Sequence, residues 1–512
     1  MASSSSSSHD PHDTHASHKV TQINEKVSLG GQAPFFFPLL AMGIVGLLVA
    51  LGAVLTIDKA NPGFGRFYHA YLVAFCFCLS ISLGSLFFVI VGHIFRAAWS
   101  VNVRRIFETF ASALPFLGVL SIPFFVTVWR GDAMLYHWAV PKTEIHQEHG
   151  DEKYGDEKHG AQKELHSQSN PVVTLVSDEA KTGPTEKIAA KDSVYKSVTP
   201  NNEINPETVA PKKPVGYHTA YGYNTYDEFT DAKYTWLNPT SFTVRIIGYF
   251  FIWTLLAWFF YRNSVRQDST GDIELTRKMS RVAPVCMVVF GTTLYFASID
   301  LVMTLDHHWY SSMFGIQFFA GSVIGAFASV IVTVNLLHRG GYLTQSVTTE
   351  HLHDLGKLMF GFIVFWAYVT YSQYMLIWYA NLPETTGWFE RRGATTSAFA
   401  PGAGYWSGIS IILLFCHLLL PFPFLLSRHI KRNRDLLFFG AVWMLVFHWV
   451  DLYWNIMPEL NNGQFYFGLP EIGTLVGVVG LFLAFISYRL SRVNLRPIKD
   501  PRVSDSFAFQ NM

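Results

Sequence analysis

The stretch HAYLVAFCFCLSISLGSLFFVIVGHIF, residues 69–95, contains no Asp, Glu, Lys or Arg. A helix needs about 20 predominantly apolar residues to cross a bilayer. Nine more segments have this character, and no alternating pattern typical of a barrel occurs. The sequence therefore predicts an all-α integral membrane protein with about ten transmembrane helices. Their approximate limits are 34–57, 69–95, 106–128, 241–262, 281–305, 309–338, 356–380, 404–426, 435–457 and 471–488.

The composition supports this fold class. Of 512 residues, 50% are hydrophobic and 15% are charged, against about 25% charged in soluble domains. The net charge of +1 excludes a nucleic-acid binder that works through bulk charge. The four cysteines lie in apolar runs and no CxxCH motif occurs, so we predict no disulfide framework, no metal site and no covalently attached haem.

Polar segments divide the chain. Residues 1–33 are rich in Ser and His, lack signal-peptide features and are predicted to form a disordered tail, with a weak metal-binding tract as the alternative. Residues 34–128 hold spans one to three, and 241–488 hold spans four to ten. Between them, 129–240 form a polar, largely disordered insert with a GDEK tandem at 150–159. Its two edges carry aromatic residues, Tyr136 and Trp138 and then Tyr217 to Tyr234, which are expected to pack on the membrane face or on a partner. Residues 489–512 form a basic tail.

Lys and Arg in the short loops predict the orientation. Loops two–three, four–five and eight–nine and the C-terminal segment carry most of them, whereas the opposite short loops carry few. Both termini are therefore predicted to be cytoplasmic, with residues 129–240 on the outer side. The basic residues are Arg96, Arg104, Arg105, Arg262, Arg266, Arg277, Lys278, Arg281, Arg428, Lys431, Arg432, Arg434, Arg489, Arg492, Arg496, Lys499 and Arg502.

Ionisable groups inside a membrane are costly, so they are the first candidates for function. His448, Asp451 and Asn455 share one face of the ninth span, and Asp300 lies on a polar face of the fifth. Carboxylates and histidines suit proton transfer; the alternative is that each simply hydrogen-bonds a neighbouring helix. The predicted proton-pathway residues are Asp300, His448, Asp451, Glu108, His93, His417 and Asp306. Tyr368, Tyr371, Ser372 and Gln373 make the middle of the seventh span unusually polar.

Small residues predict close approach between helices. Gly84 with Ser80 and Ser85, Gly321 with Gly325, and Gly473 with Gly477 lie within apolar spans. The intramembrane histidines, by contrast, lie at different depths, which disfavours a haem held between two of them.

Three stretches resemble a known family. RFYHAYLVAFCFCLSISLGSLFFVIVGHIFRAAWSVNVRRIFE (66–108), DHHWYSSMFGIQFFAG (306–321) and FGFIVFWAYVTYSQYMLIWYANLPETTGWFERR (360–392) resemble the second NrfD-like membrane subunit, ActF, of bacterial alternative complex III. That complex is a quinol:cytochrome c (acceptor) oxidoreductase. The resemblance covers most of 34–490 without the insert. It implies two four-helix bundles, spans two to five and six to nine, flanked by spans one and ten, in the bacterial inner membrane with the insert periplasmic.

The resemblance also implies partners and cofactors. The haem c groups and iron–sulphur clusters belong to partner subunits, a multihaem cytochrome c and an iron–sulphur protein, and a sister NrfD-like subunit is thought to hold the quinol site. No redox cofactor is expected on this chain; a bound quinone or menaquinone, and a terminal oxidase as a further partner, stay open. Proton conduction through the bundles is a proposal for the family. The insert at about 141–232 departs from it.

Three functions compete. The first is a non-redox membrane subunit that supports quinol oxidation and conducts protons. The second is a secondary transporter, which often has broken helices near the midplane. We identify Pro115 and Pro123 in the third span and Pro284 near the start of the fifth as the only interior prolines, and no pair of broken helices recurs in two halves. The third is a purely structural scaffold for the redox subunits.

Overall fold

The computed structural model describes residues 25–33, 35–56, 63–131, 134–139, 233–394 and 404–510. Within these ranges the chain is helical, with two isolated β-bridges and no strand. The prediction of ten membrane spans is confirmed. They are Phe36–Thr56, Phe64–Ile94, Val101–Arg130, Pro239–Thr270, Ile273–Leu305, Phe314–Arg339, Thr349–Ala380, Tyr405–Leu426, Arg434–Leu460 and Leu469–Ser491.

Several helices extend beyond their apolar cores. The fourth span continues eight residues past the predicted end at 262, to Thr270, where Asp268 pairs with Arg105 at 3.0 Å and Gln267 is buried. It ends where Gly271 adopts a left-handed conformation with φ 67°. The fifth span begins directly afterwards, where the Asp272 carboxylate accepts a hydrogen bond of 2.9 Å from the Glu274 amide.

The second and sixth spans lie at the centre of the molecule. In their apolar windows 94% and 78% of the residues are buried, against 22% in the seventh and eighth spans. A Cβ added to Gly84 would lie 2.1 Å from the Ser322 carbonyl oxygen, so the two central helices approach closely at this glycine. The second span also contacts the third, fifth, ninth and tenth, and the sixth contacts the fifth, seventh and ninth.

The first span packs along the tenth. A Cβ on Gly46 would lie 2.6 Å from the Gly477 nitrogen, and one on Gly473 would lie 2.9 Å from the Ala50 nitrogen. The predicted close approach at Gly473 and Gly477 is thus confirmed, and its partner is the helix at the other end of the chain. Gly43 continues the same contact toward Leu481.

Two spans are interrupted. The third consists of three short helices, Val101–Ala111, Leu114–Leu120 and Ile122–Arg130, and the later two each have a proline in their first turn. The eighth passes from an α-helix, Tyr405–Leu413, through a π-helical turn, Leu414–Leu419, to Pro421–Leu426. The proline count made from the sequence was incomplete, because Pro421 and Pro423 also lie inside this span.

The two ends of the described chain meet on one side, which we call the terminal face; the other side is the opposite face. The Glu25 carboxylate pairs with Arg496 at 3.1 Å and accepts a hydrogen bond of 2.9 Å from the Gln345 amide. Residue 33 is therefore too late a boundary for the predicted disordered tail, since contacts begin at Glu25. Its histidine run lies outside the described residues.

The first edge of the insert packs against helices of its own chain, and most of the second edge, residues 217–232, lies outside the described residues. The Tyr136 hydroxyl donates a hydrogen bond of 2.9 Å to the Leu301 carbonyl, and the Trp138 ring contacts Phe242. Residues 140–232, which include the GDEK tandem, lie outside the described part of the chain.

Candidate functional site

The predicted polar face of the ninth span is buried against the sixth. His448, Asp451 and Asn455 are 1%, 4% and 6% exposed. A Cβ on Gly321 would lie 3.0 Å from the His448 ring, and one on Gly325 would also lie at 3.0 Å. The two glycines therefore leave the space that the imidazole fills. The sequence predicted that Gly321 and Gly325 let a neighbouring helix approach closely. In the structure, the group that packs against both glycines is the His448 side chain.

The second span holds the histidine in one orientation. The Ser80 oxygen lies 2.8 Å from His448 Nε2 and also 2.8 Å from the Phe77 carbonyl. A hydroxyl has one hydrogen, and when it points to the carbonyl, Nε2–H donates to Ser80. His448 Nδ1 is then an acceptor, and it has no partner among the described residues.

Asp451 is held by neutral donors. The Trp366 indole N–H donates to one carboxylate oxygen and the Asn455 amide to the other, each at 3.3 Å. The described residues place no Lys, Arg or His within ion-pair distance of it. Asp451 differs in this from every other buried acid among the described residues, since each of those has a cationic partner.

The indole of Trp366 connects Asp451 to the eighth span. Its ring stacks on the His417 imidazole with centroids 3.9 Å apart and planes 10° apart. His417 is fully buried, and neither ring nitrogen has a partner in the described part of the chain. It lies in the π-helical turn, a feature that is frequent at functional sites.

A small cavity opens beside these groups. It has a volume of about 10 Å³, and Gln317, Gly321, His448, Asp451 and Asn455 line it together with apolar neighbours. This volume is close to that needed for one water molecule. Both polar atoms of Gln317 and Asn455 Oδ1 are buried without partners among the described residues. The chemistry of the cavity therefore suits an ordered water between Gln317 and the ninth span.

An arginine–carboxylate network adjoins this site toward the opposite face. Arg392 donates hydrogen bonds to the carbonyls of Asn455 at 2.7 Å and Trp454 at 3.1 Å, and it pairs with Glu459 at 2.8 Å. Burial lowers the pKa of Arg392 to about 10, a shift that Glu459 opposes, so it stays charged at neutral pH. Its guanidinium carbon lies 3.4 Å from the Trp388 ring centroid.

Asp306 belongs to this network. Its carboxylate pairs with Arg391, which also contacts Glu459 at 3.1 Å, and it accepts backbone hydrogen bonds from His308 and Trp309. These contacts fix the short turn after the fifth span to the segment before the eighth. They favour a role for Asp306 as an anchor between these segments over its predicted role in a proton pathway.

Asp300 lies in a separate site, where both of its carboxylate oxygens accept hydrogen bonds. Arg245 binds both of its oxygens at 2.9 Å, and the Tyr249 hydroxyl and the Trp236 indole donate to it at the same distance. Arg245 was missed from the sequence, although a charged residue inside the apolar run TVRIIGYFF was a visible signal. Asp300 has the geometry of a structural ion pair.

Glu108 and His93 lie near the terminal face, away from Asp451. Arg104 and Arg105 pair with Glu108 at 3.1 and 3.0 Å, and Arg104 also pairs with Asp500 at 2.7 Å. His93 is fully buried, stacks on Phe260 and has no partner for either ring nitrogen among the described residues. No described hydrogen bond links this group to Asp451.

The polar centre of the seventh span divides into two faces. Gln373 is 2% exposed and accepts a hydrogen bond of 2.9 Å from the Ser311 hydroxyl. Ser372 is partly buried, whereas Tyr368 and Tyr371 are 67% and 64% exposed. Only the first of these faces belongs to the interior of the chain.

The structure thus brings His448, Asp451 and His417 together and leaves the other predicted proton-pathway residues in three separate groups. Sequence reasoning missed Gln317, Trp366 and Arg392, which lie on other spans or in a loop. The lone amide in FGIQFFAG was the only sequence signal for Gln317.

Comparison with known proteins adds no assignment. The chain matches no family model, and no curated protein is significantly similar to it. Among the described residues, no three His, Cys, Asp or Glu side chains are arranged to hold a metal ion.

Proposed function

We propose that this chain is a non-redox membrane subunit of a respiratory quinol:acceptor oxidoreductase of the alternative complex III type, and that its interior passes protons. The resemblance of residues 66–108, 306–321 and 360–392 supports the first part. The contacts between spans support the NrfD-like arrangement. Spans two to five contact one another in a ring, as do spans six to nine, and the first and tenth pack together beside them.

One observation carries the proposal of proton transfer: Asp451 is a membrane-buried carboxyl without a cationic partner among the described residues, and it lines a small cavity together with Gln317, His448 and Asn455. Ionising such a group is costly in a low-dielectric medium, so its protonation state depends strongly on the charges and hydrogen bonds of its neighbours. Its neighbours are neutral donors, a histidine and a space for one water. A carboxyl in these surroundings can take up and release a proton.

The Asp451 carboxyl is tested by Asp451→Asn, which keeps the side-chain shape and removes the titrating group. We expect assembly and the haem content of the complex to be unchanged while turnover-linked proton uptake falls by roughly tenfold or more. Asp435→Asn, the same change at an exposed position of the same span, is the matched control. Proton uptake equal in both variants would refute the proton role.

The respiratory assignment needs its own test. A mild-detergent pull-down of the tagged chain from its native membrane should co-purify c-type haem and iron–sulphur subunits, with quinol-oxidising activity in the eluate. The inner membrane, a bound quinone or menaquinone and a terminal oxidase as partner are parts of the proposal that the same preparation tests. A colourless chain that elutes alone would overturn it.

A structural scaffold is the second candidate, and the ion pairs of Asp300 and Glu108 favour it, since both carboxylates are held by arginines.

A transporter is supported by the π-helical turn of the eighth span, because interrupted helices often line transport sites. The other interruption lies in the third span, which does not occupy the corresponding position in its group of four spans. The scaffold therefore ranks above the transporter.

A further inference from the structure

The seventh span presents a stripe of exposed residues that the described part of the chain does not cover. Gly361, Val364, Tyr368, Tyr371 and Met375 recur at helical spacing on one face, and we call them the tyrosine stripe. The two tyrosines and Met375 are 67%, 64% and 47% exposed. From Val364 to Met375 the stripe covers three turns, about 16 Å along the helix.

Both tyrosines lie deep in the membrane. Trp378 and Tyr379 end the span and are exposed, as expected of residues at a membrane–water interface. At 1.5 Å per residue, Tyr371 lies about 12 Å and Tyr368 about 16 Å below Tyr379. The hydrocarbon core is about 30 Å thick, so the two hydroxyls lie near its middle. Neither phenol can extend over two helical turns to reach water.

The hydroxyls of the stripe lack acceptors within the described chain. Neither Tyr368 nor Tyr371 makes a hydrogen bond there, and the neighbouring Thr370 hydroxyl is buried without a partner. Other exposed faces differ. On the fifth span the exposed Val285 and Val288 are apolar, and the Thr292 hydroxyl donates to its own helix at 2.9 Å. That face suits lipid, whereas the tyrosine stripe needs hydrogen-bond acceptors.

We propose that the tyrosine stripe is the contact surface for a transmembrane helix of another polypeptide that offers acceptors at mid-depth. The stripe is about 16 Å long, which fits the contact length of a second helix crossing it better than the size of a single small ring such as that of a quinone. A Cβ on Gly361 would meet nothing within 4 Å, so this position leaves room for close approach of a partner backbone. The inference rests on the proposed function for the existence of a membrane partner, but the place of contact follows from this chain alone.

The contact is tested by photo-crosslinking in native membranes. A benzophenone amino acid replaces Tyr371 in one full-length chain and Val288, which is 70% exposed on the fifth span, in another. We expect position 371 to give a protein adduct whose crosslinked peptide comes from an apolar segment of 18 or more residues in another subunit. Position 288 should give lipid adducts.

Hydrogen bonding is tested separately by the double variant Tyr368→Phe/Tyr371→Phe. It keeps both rings, and we expect the amount of crosslinked partner that survives detergent to fall about tenfold, because two interhelical hydrogen bonds are lost. Tyr405→Phe, a change at a position 77% exposed on the eighth span, should leave it unchanged.

Each outcome decides the proposal. Lipid or quinone adducts at position 371, an adduct with a second copy of this chain, or equal protein adducts at 371 and 288 would overturn it. If the pull-down finds haem-bearing partners while position 371 meets only lipid, this interface is wrong and the proposed function stands. If no partner co-purifies, the proposed function itself fails.

Discussion

Gly321 and Gly325 show how single residues shape the candidate site. Their missing side chains let the His448 ring lie against the sixth span, within reach of Ser80 and beside the cavity. The spacing of His448, Asp451 and Asn455 was readable from the sequence, because residues three and four apart share a helix face. Their partners Gln317 and Trp366 were not, because each is a single polar or aromatic residue whose meaning depends on which helix faces it.

Gly325→Ala tests this reading of the site. The added Cβ would lie 3.0 Å from the imidazole, so the ring must shift, and we expect a loss of about 1–3 kcal/mol in stability together with slower proton uptake. Thermal unfolding in detergent and proton uptake measure the two effects. Gly291→Ala in the fifth span, where a Cβ meets nothing within 4 Å, is the control. Equal behaviour of both variants would show that the glycine is not needed for the ring.

At the scale of elements, the apolar cores of the helices were predictable and their ends were not. Hydropathy marks where a helix enters lipid, but three spans extend into polar sequence: the fourth ends at Gly271, and the fifth and seventh begin at the N-caps Asp272 and Thr348. The π-helical turn of the eighth span also escaped prediction, since it depends on how the backbone accommodates Pro421.

The C-terminal segment, residues 492–508, is an element that composition alone described as a basic tail. Burial would raise the pKa of Asp500, but the Arg104 and Arg502 guanidinium groups hold it well below its usual range. A carboxylate with a lowered pKa stabilises the folded state above its ordinary value of about 3.9, and this contribution is lost as the pH falls further. We therefore expect docking of the segment to be constant from pH 8 to 5 and to weaken below about pH 4.

Asp500→Asn tests that docking at neutral pH. It removes one partner of a buried ion pair, and we expect the local opening free energy of residues 493–508 to fall by about 3 kcal/mol, measured as faster amide hydrogen exchange. Asp505→Asn makes the same charge change at an exposed position of the same segment and should have little effect. If the two variants exchange at the same rate, the ion pair with Arg104 does not hold the segment.

At the scale of the whole molecule, the number of spans was predictable from the sequence and the neighbours of each span were not. Twenty apolar residues specify a crossing whatever lies beside it. The central place of the second and sixth spans depends on where their small residues meet, as Gly84 meets Ser322, and that pairing joins positions far apart in the chain. The second span is almost completely buried, as its central position requires. Its hydropathy did not predict that position, because an apolar helix can be buried either in protein or in lipid.

The seam between the first and tenth spans gives a prediction at this scale. In Gly477→Ala the new Cβ would lie 2.7 Å from a Leu47 side-chain carbon, so we expect the two helices to separate locally and the protein to lose about 1–3 kcal/mol in stability. The measurement is thermal unfolding combined with disulfide trapping between cysteines placed on the two spans. Gly52→Ala, which meets nothing within 4 Å, is the control, and an equal loss there would contradict the role of the seam.

The same seam has a consequence for how the protein is made. Gly46 leaves the ribosome more than 400 residues before Gly473. At roughly 5–20 residues per second, this interval is about 20–80 s. During that time the first helix must wait in the bilayer with its glycine-lined face against lipid. Closure of the molecule therefore waits for the tenth helix, and a nascent chain that stalls before that helix would leave its first one open to chaperones and membrane proteases.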